Sequence, residues 1–341
     1  MKLKRLLFGF SLALMLVGQT SCSNQNEADQ ELLGTIRAKA EKGVAKSQCA
    51  LGEVFFHGML GVTKDNVEAV KWFRKAAEQN YAGAEYNLGC CYAKGEGVTK
   101  DEAEAVKWYR KASDQNYDEA QNNLGDCYYN GQGVTKDYAE ATKWFRKAAE
   151  QNYAEAQYNL GCCYQNGQGM AKDEAEAVKW YRRAAGQNYA QAQFKTGFCY
   201  ATGQCVTKDE TEAVKWYLKA AEQNHAHAQT NLGICYATGQ GVTKDYVEAA
   251  KWFRKAAEQN DAQAQSNLGI CYAKGQGVAQ QIVYGYKWLL LAAAQGYENA
   301  KRSVAVVEPS MSPEQIAEGK RQANDWLELR KKPFAGMVSP P

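Results

Sequence analysis

Proline and histidine are scarce in this sequence, with five prolines and three histidines among 341 residues. The low proline content suits a packed helical chain, since proline interrupts helices. Two of the histidines, His225 and His227, are two positions apart and would not share a helical face, so the sequence predicts no metal site. There is no Ser-x-x-Lys motif and no glycine-rich loop between a strand and a helix. We therefore predict no cofactor and no enzymatic activity.

An excess of charge of one sign is also lacking, because 41 Lys and Arg residues are balanced by 38 Asp and Glu residues. Lys2, Lys4 and Arg5 lie in a segment that we expect to be removed, which would leave a nearly neutral mature chain. Charges of both signs alternate throughout, without the basic stripe that tracks a phosphate backbone. The sequence therefore argues against a nucleic-acid partner.

The apolar run at residues 6–17 is too short to span a bilayer as a stable helix. It follows basic residues and precedes small and polar ones, as in a secretory signal. The ending Gln19-Thr-Ser-Cys22 resembles a bacterial lipoprotein cleavage box, which implies that Cys22 carries a lipid anchor and that Ser23 favours the outer membrane. The alternatives are an ordinary cleaved signal and a cytoplasmic protein with an uncleaved N terminus.

Tryptophan is present at a fixed interval of 36 residues. A period of this kind is typical of stacked-repeat proteins rather than of a single globular core. Seven of the eight tryptophans follow this interval, namely Trp72, Trp108, Trp144, Trp180, Trp216, Trp252 and Trp288.

The apolar pattern predicts two helices in each copy, called helix A and helix B below. In the second copy Ala84, Leu88 and Cys91 share one face of helix A, and Gly95 can close its last turn. Helix B begins after Asp101, whose side chain can cap the helix while Glu104 reaches back, as in a capping box. The same pairing recurs at Asp65/Glu68, Asp137/Glu140, Asp173/Glu176, Asp209/Glu212 and Asp245/Glu248.

The fourth copy reads Ala156-Gln-Tyr-Asn-Leu160-Gly161-Cys-Cys-Tyr164, Gly167-Gln-Gly-Met170, Asp173, Ala177-Val-Lys-Trp180 and Ala184-Ala185. This pattern resembles the Sel1-like repeat family, a relative of the tetratricopeptide arrays, over about residues 31–300. The resemblance implies an all-α fold: a right-handed αα-solenoid of about seven 36-residue helix-turn-helix repeats with terminal capping helices. It also implies a scaffold or adaptor role.

The chain divides into six predicted segments. They are a signal peptide (1–22), a flexible tether (23–30), an N-terminal capping helix (31–44), the repeat array (45–297), C-terminal capping helices (298–331) and a loose tail (332–341). Ser312-Pro313-Glu-Gln315 can start the last helix, and Trp326 can seal the end of the stack. We expect a monomer.

Six of the eleven cysteines form one column on the buried face of helix A: Cys91, Cys127, Cys163, Cys199, Cys235 and Cys271. Stacked helices lie about 8–10 Å apart, whereas a disulfide needs Cα atoms within roughly 7 Å, so neighbours in the column should stay unpaired. Cys199 and Cys205, at the end of a helix and in its following loop, form the candidate disulfide.

Some secreted members of the resembled family bridge each helix pair with cysteines seven residues apart and have been associated with β-lactam binding or hydrolysis. Here alanines such as Ala77 and Ala84 stand at those positions, so that framework is absent. A β-lactam hydrolase or a cell-wall amide hydrolase is nevertheless the alternative function.

Helix A also carries residues that change from copy to copy, next to a row of asparagines. Amides can bond a peptide backbone and aromatic side chains can add apolar contact. The other interpretation is that these side chains pack between neighbouring repeats. We predict a non-enzymatic scaffold of the bacterial cell envelope that binds a protein or peptide on the concave helix-A surface, through Tyr86, Asn87, Asn122, Asn123, Tyr158, Asn159, Phe194, Lys195, Phe198, Thr230, Asn231, Ser266 and Asn267.

Overall fold

The computed structural model describes residues 22–331, with side chains from 25 to 330. Within this range there are seventeen α-helices and no strand. They are α1 (Cys22–Glu41), α2 (Ala45–His57), α3 (Asn66–Ala77), α4 (Ala82–Lys94), α5 (Glu102–Asp114), α6 (Asp118–Asn130), α7 (Tyr138–Glu150), α8 (Ala154–Asn166), α9 (Glu174–Gly186), α10 (Ala190–Thr202), α11 (Glu210–Glu222), α12 (Ala226–Thr238), α13 (Tyr246–Glu258), α14 (Ala262–Lys274), α15 (Ile282–Ala294), α16 (Glu298–Val307) and α17 (Pro313–Lys331).

Helix A of the seven repeats corresponds to the even-numbered helices α2 to α14, and helix B to the odd-numbered helices α3 to α15. The described part of the chain forms two compact units, a first unit up to residue 153 and a second unit from residue 154, and the boundary falls between the third and fourth repeats. In each unit helices A and B of one repeat pack together, and each helix B packs on the next helix A. The predicted all-α solenoid class is confirmed.

A glycine of helix A lies directly against a side chain of helix B in every repeat. A Cβ atom on Gly161 would lie 2.7 Å from Cδ1 of Tyr181 and 3.2 Å from the carbonyl oxygen of Ala177. Glycine therefore allows an approach of the two helices that any side chain would prevent. The other pairs are Gly52/Phe73, Gly89/Tyr109, Gly125/Phe145, Gly197/Tyr217, Gly233/Phe253 and Gly269/Leu289.

The tryptophan of helix B connects its own repeat to the preceding one. Trp252, on α13, packs in a buried cluster with Tyr217 and Ala220 of α11 and with Leu232 of α12. Its outer face is covered by Lys255, whose Nζ lies 4.2 Å from the ring centroid. In five other repeats the Lys or Arg three residues after the tryptophan covers the ring in the same way, at Trp72, Trp108, Trp144, Trp180 and Trp216. The tryptophan thus provides apolar contact between repeats and a cation–π contact on its outer side.

Six aspartates cap helix B as the sequence predicts, but only half of each capping box forms. Asp101 Oδ1 accepts a hydrogen bond from Glu104 N at 2.9 Å, and Asp65, Asp137, Asp173, Asp209 and Asp245 do the same for their helices. The reciprocal bond is replaced, since the Asp101 N–H donates to the Tyr92 carbonyl at 2.9 Å. Glu104 instead pairs with Lys107. The cap therefore ties helix B to the last turn of helix A.

A row of buried amides, which the sequence interpretation missed, runs along the helices A. Gln229 accepts a hydrogen bond from Gln259 Nε2 at 2.7 Å and donates its own Nε2 to the carbonyl of Ala221, in the preceding repeat, at 3.0 Å. Gln48, Gln121, Gln193 and Gln265 make both bonds in the same way. Because each buried amide is satisfied, the row stabilises the stacking of successive repeats.

Glu85 occupies this row in the second repeat. It is 1% exposed and accepts a hydrogen bond from Gln115 Nε2 at 2.6 Å. A carboxylate has no N–H to donate to a carbonyl of the preceding repeat, and its burial raises the pKa of Glu85.

The terminal helices differ from the prediction at one end. The predicted tether, residues 23–30, forms the first turns of α1 together with the predicted cap, and Gln25 bonds Asp29 four residues on. At the other end α16 spans Glu298–Val307 and α17 spans Pro313–Lys331. The Trp326 ring packs on Trp288 at 5.9 Å.

Some predictions lie outside the described residues, namely the signal peptide up to residue 21 and the tail from 332. None of the helices in the described range is apolar over enough of its length to span a membrane.

We predict that Gly161→Ala lowers the free energy of unfolding by about 1–2 kcal/mol, measured by urea denaturation. The added methyl group would overlap the Tyr181 ring, and this overpacking outweighs the better helix propensity of alanine. Gly186→Ala is the control, since a Cβ there would have no atom within 4 Å. It should be neutral or slightly stabilising, and an equal loss in both variants would contradict the contact.

We predict that Glu85→Gln raises the free energy of unfolding at pH 7 by about 1 kcal/mol, because the amide restores the missing donor. The raised pKa means that charged Glu85 destabilises the fold. This penalty is absent below the unfolded pKa, about 4, and develops as the pH rises through the folded pKa. The gain should therefore shrink at low pH, whereas exposed Glu78→Gln should change little. A gain independent of pH would be inconsistent with this account.

Candidate functional site

All thirteen predicted binding residues lie on helices A, but three of them are buried. Asn122, Thr230 and Ser266 are 0–1% exposed, so the expectation that they lie on an open surface is wrong. The reason is tertiary: small polar side chains at these positions are covered by the following repeat. Thr230, for example, donates its hydroxyl to Asp261 Oδ1, in the connection to the next helix A, at 3.0 Å.

The aromatic residues of the same row are half-buried within the stack. The Phe194 ring packs 6.0 Å from Tyr217 of helix B and 4.9 Å from His225. Tyr86 contacts Tyr109 and Tyr117, and Tyr158 contacts Tyr181 and Tyr189, in the same way. These contacts support the second interpretation of the row, in which its rings mainly pack between repeats.

Members of the neighbouring asparagine row contact the preceding repeat. Asn123 bonds the Tyr109 hydroxyl, and Asn231 bonds that of Tyr217. Asn87 Nδ2 donates to Glu53 Oε1 at 3.3 Å. These amides therefore stabilise the stack. A ligand that bonds them would compete with the side chains of the preceding repeat.

Lys195 takes the place of asparagine in this row. It is half-buried on α10 and has no ion-pair partner among the described residues. It supplies the row with a positive charge that asparagine would not.

Three residues after the asparagine row, helices A of the second unit carry a row of apolar side chains. Phe198, Ile234 and Ile270, on α10, α12 and α14, are all half-buried, so part of each side chain stays accessible. In the first unit the corresponding positions are Glu53, Cys90 and Asp126. The fourth repeat, which is also in the second unit, has Cys162 at this position. The accessible apolar face is thus a property of α10, α12 and α14, and the predicted set includes only Phe198 from it.

A polar cluster that the sequence interpretation missed lies beside Phe194. The His227 Nδ1 and Asp261 Oδ2 atoms are 2.8 Å apart, with the Asp261 side chain 5% exposed and His227 largely exposed. Asp261 also caps α14 by accepting from Ala264 N at 2.8 Å. The sequence could have indicated this cluster, because the residue that precedes the helix is a tyrosine in other copies but is His225 before α12 and Asp261 before α14. The tyrosines are Tyr81, Tyr117, Tyr153, Tyr189 and Tyr297.

The two histidines approach each other, contrary to expectation, with ring centroids 6.1 Å apart. His225 precedes α12 and caps it, accepting from Ala228 N through Nδ1 at 3.2 Å, so helical spacing does not apply to it. Burial, with a smaller effect of His227, lowers the pKa of His225 and favours its neutral form. Among the described residues no cluster of three or more His, Cys, Asp or Glu side chains is arranged to hold a metal ion.

The predicted residues fall into two groups. Tyr86, Asn87, Asn122 and Asn123 belong to the first unit, and the other nine belong to the second. We call the accessible residues of the second group that lie on α10, α12 and α14, together with the apolar row and His227, the α10–α14 surface. It comprises Phe194, Lys195, Phe198, His227, Asn231, Ile234, Asn267 and Ile270.

Tandem helix pairs with this packing define a repeat solenoid of the type used for protein interaction. The chain belongs to the Sel1 repeat family, whose model matches residues 45–81, 82–117, 118–153, 154–189, 190–225, 226–261 and 262–297.

Two solved structures are similar over most of this chain. One is c5321, a protective antigen present in uropathogenic Escherichia coli strains that displays an SLR fold, with 38% identity, a TM-score of 0.76 and coverage of 87% of this chain and 63% of that protein. The other is a Sel1 repeat protein from Oxalobacter formigenes, with 34% identity, a TM-score of 0.64 and coverage of 72% and 96%.

A similar segment occurs in chitin synthase regulatory factor 3 of Schizosaccharomyces pombe, with 39% identity over 59 residues. The match spans 17% of this chain and 6% of that protein.

Proposed function

We propose that this protein is a non-enzymatic scaffold that binds an extended segment of a partner protein on the α10–α14 surface. The observation that carries the proposal is the accessible apolar row, Phe198, Ile234 and Ile270, beside Lys195. The first four repeats have polar or smaller residues at the same positions, namely Glu53, Cys90, Asp126 and Cys162. Stacking of repeats does not require this change, because both units stack through the same glycine, tryptophan and amide contacts.

The spacing of the repeats suits an extended peptide. Neighbouring packed helices lie about 8–10 Å apart, and an extended chain in the polyproline II conformation rises about 3.1 Å per residue with three residues per turn, so that every third side chain points to the same side. Every third side chain of such a peptide would therefore meet a new repeat. Three repeats would hold a segment of about seven residues, with apolar side chains at intervals of three.

The charge on the α10–α14 surface indicates a further property of the partner segment. Lys195 offers a half-buried ammonium group, while the His227 ring on the same surface is already in contact with the Asp261 carboxylate. An acidic side chain near the Lys195 end of the peptide would pair with this cation. The favoured ligand is thus an apolar segment with an acidic residue at one end.

We also propose that the protein is exported and held at the periplasmic side of the cell envelope, in the outer membrane, by a lipid on Cys22. The basic, apolar and small residues that precede Cys22 support this placement. Cys22 begins α1, so a lipid there would place the anchor at the start of the first capping helix.

Peptide binding can be tested with Lys195→Asn, which introduces the residue found elsewhere in the row. A phage-displayed library of random peptides would be selected on the purified protein, and enriched peptides synthesised for calorimetry. We expect apolar residues at intervals of three with an acidic residue, and binding weakened about three- to tenfold by the substitution.

Lys215→Asn is the matched control, since Lys215 is an exposed cation on helix B of the same repeat. It should leave peptide affinity unchanged. Failure to enrich any peptide, or equal affinity of the Lys195 variant and the unaltered protein, would count against the α10–α14 surface.

The lipid anchor predicts that the protein incorporates a clickable palmitate analogue when it is expressed in bacteria with lipoprotein processing. Cys22→Ala should abolish the label, because the thiol is the acceptor. Cys49→Ala, which alters a buried thiol, should keep it. An unlabelled parent protein would rule the anchor out.

A further inference from the structure

The loop after α10 differs from the equivalent loops by one residue. Gly97, Gly133, Gly169, Gly241 and Gly277 have φ values of 69–74° in the other repeats, and Cys205 has a φ of 75° at the same position. Only glycine adopts this left-handed region without cost. The loop therefore retains the glycine conformation while it carries a side chain.

The space around this position is also built for glycine. A Cβ on Gly133 would lie 2.1 Å from the carbonyl oxygen of Glu102, and one on Gly241 would lie 2.1 Å from that of Glu210. Cysteine at position 205 must therefore displace the close contact made by the other loops. Cysteine is therefore unfavourable at position 205 both for the backbone conformation and for packing. Its presence there indicates that its side chain has a role.

The Cys205 sulfur accepts a hydrogen bond from the Cys199 thiol, while its own S–H donates to the Glu174 carboxylate. Cys205 also packs against the cluster of Ala177, Val178, Tyr181 and Cys199. Cys199 lies on the last full turn of α10 and is fully buried, and its carbonyl accepts from Gly203 N at 3.0 Å. The other buried cysteines of this column have glycine, not cysteine, in the loop that follows.

We propose that Cys199 and Cys205 are a reversible dithiol–disulfide pair that staples the α10–α11 loop to the end of α10. Both thiols are free in the structure. The bridge would close a ring of seven residues, 199–205, beside Phe198 of the α10–α14 surface. The pair is independent of any ligand on that surface.

The oxidant would be a small-molecule or protein disulfide. Cys205, the more accessible thiol, loses its proton and attacks one oxidant sulfur, which releases one thiol and forms a mixed disulfide. Cys199 then loses its proton and attacks the Cys205 sulfur, which releases the second thiol. Two protein thiols become one disulfide, and one oxidant disulfide becomes two thiols that take up the two protons.

The oxidation state of the pair can be measured directly by mass spectrometry. Cleavage after Lys195 and Lys208 releases residues 196–208, which contain these two cysteines and no other. The purified protein would be equilibrated with oxidised glutathione, alkylated and digested with trypsin. We expect this peptide to be two hydrogens lighter than its reduced form and free of alkylation.

Cys205→Gly, which installs the glycine of the other loops, should leave Cys199 a single thiol and preserve the fold. Cys235→Ala, at the equivalent column position of the next repeat, should leave the bridge intact. Oxidation should also raise the melting temperature of the unaltered protein by a few degrees, but not that of Cys205→Gly. Alkylation of both thiols after oxidation, or pairing of Cys199 with another cysteine, would overturn the proposal.

Discussion

The structure depends on the contact between a glycine of helix A and a large side chain of helix B. Gly161 and Tyr181 illustrate it: the ring fills the place of any glycine side chain, so the two helices share one fixed spacing. Tryptophans and buried glutamines then connect each pair to the preceding pair. Because these contacts use the same residues in each copy, the remaining freedom of the sequence lies on the outer part of helix A and in the loops.

Most of the residues that depart from the repeat pattern lie in the second unit. His225 and Asp261 replace the tyrosine that precedes other helices, Lys195 replaces an asparagine, and Cys205 replaces a glycine. Each replacement removes a contact or a backbone preference on which the other repeats rely. The contact between His227 Nδ1 and Asp261 Oδ2 and the bond from Thr230 to Asp261 restore part of the lost packing. The concentration of these exceptions on α10 to α14 is the physical basis for assigning binding and redox chemistry to this part of the chain.

Sequence patterns predicted the elements well because the signals for helices are local. Helical spacing of apolar residues, aspartate caps such as Asp101 and left-handed asparagines such as Asn116 act within a few residues. The buried cysteine column followed from the same periodicity. The second half of the capping box failed because the Asp101 N–H is taken by a carbonyl of the preceding helix. His225 and His227 meet because one of them lies outside the helix.

The sequence by itself determined a seven-fold repeat of helix pairs, since each copy carries the same local signals and the period joins them. It could not decide which helix-A residues remain accessible. Asn122, Thr230 and Ser266 are buried, whereas Phe198 and Lys195 are only half-buried, although all five follow the same helical pattern. Only the tertiary structure decided this, because burial there depends on side chains about 30 residues further along the chain, such as Asp261 at the start of the next helix A. The same holds for the Gln229 amide and for the Cys205 thiol, whose partners are fixed by packing rather than by spacing.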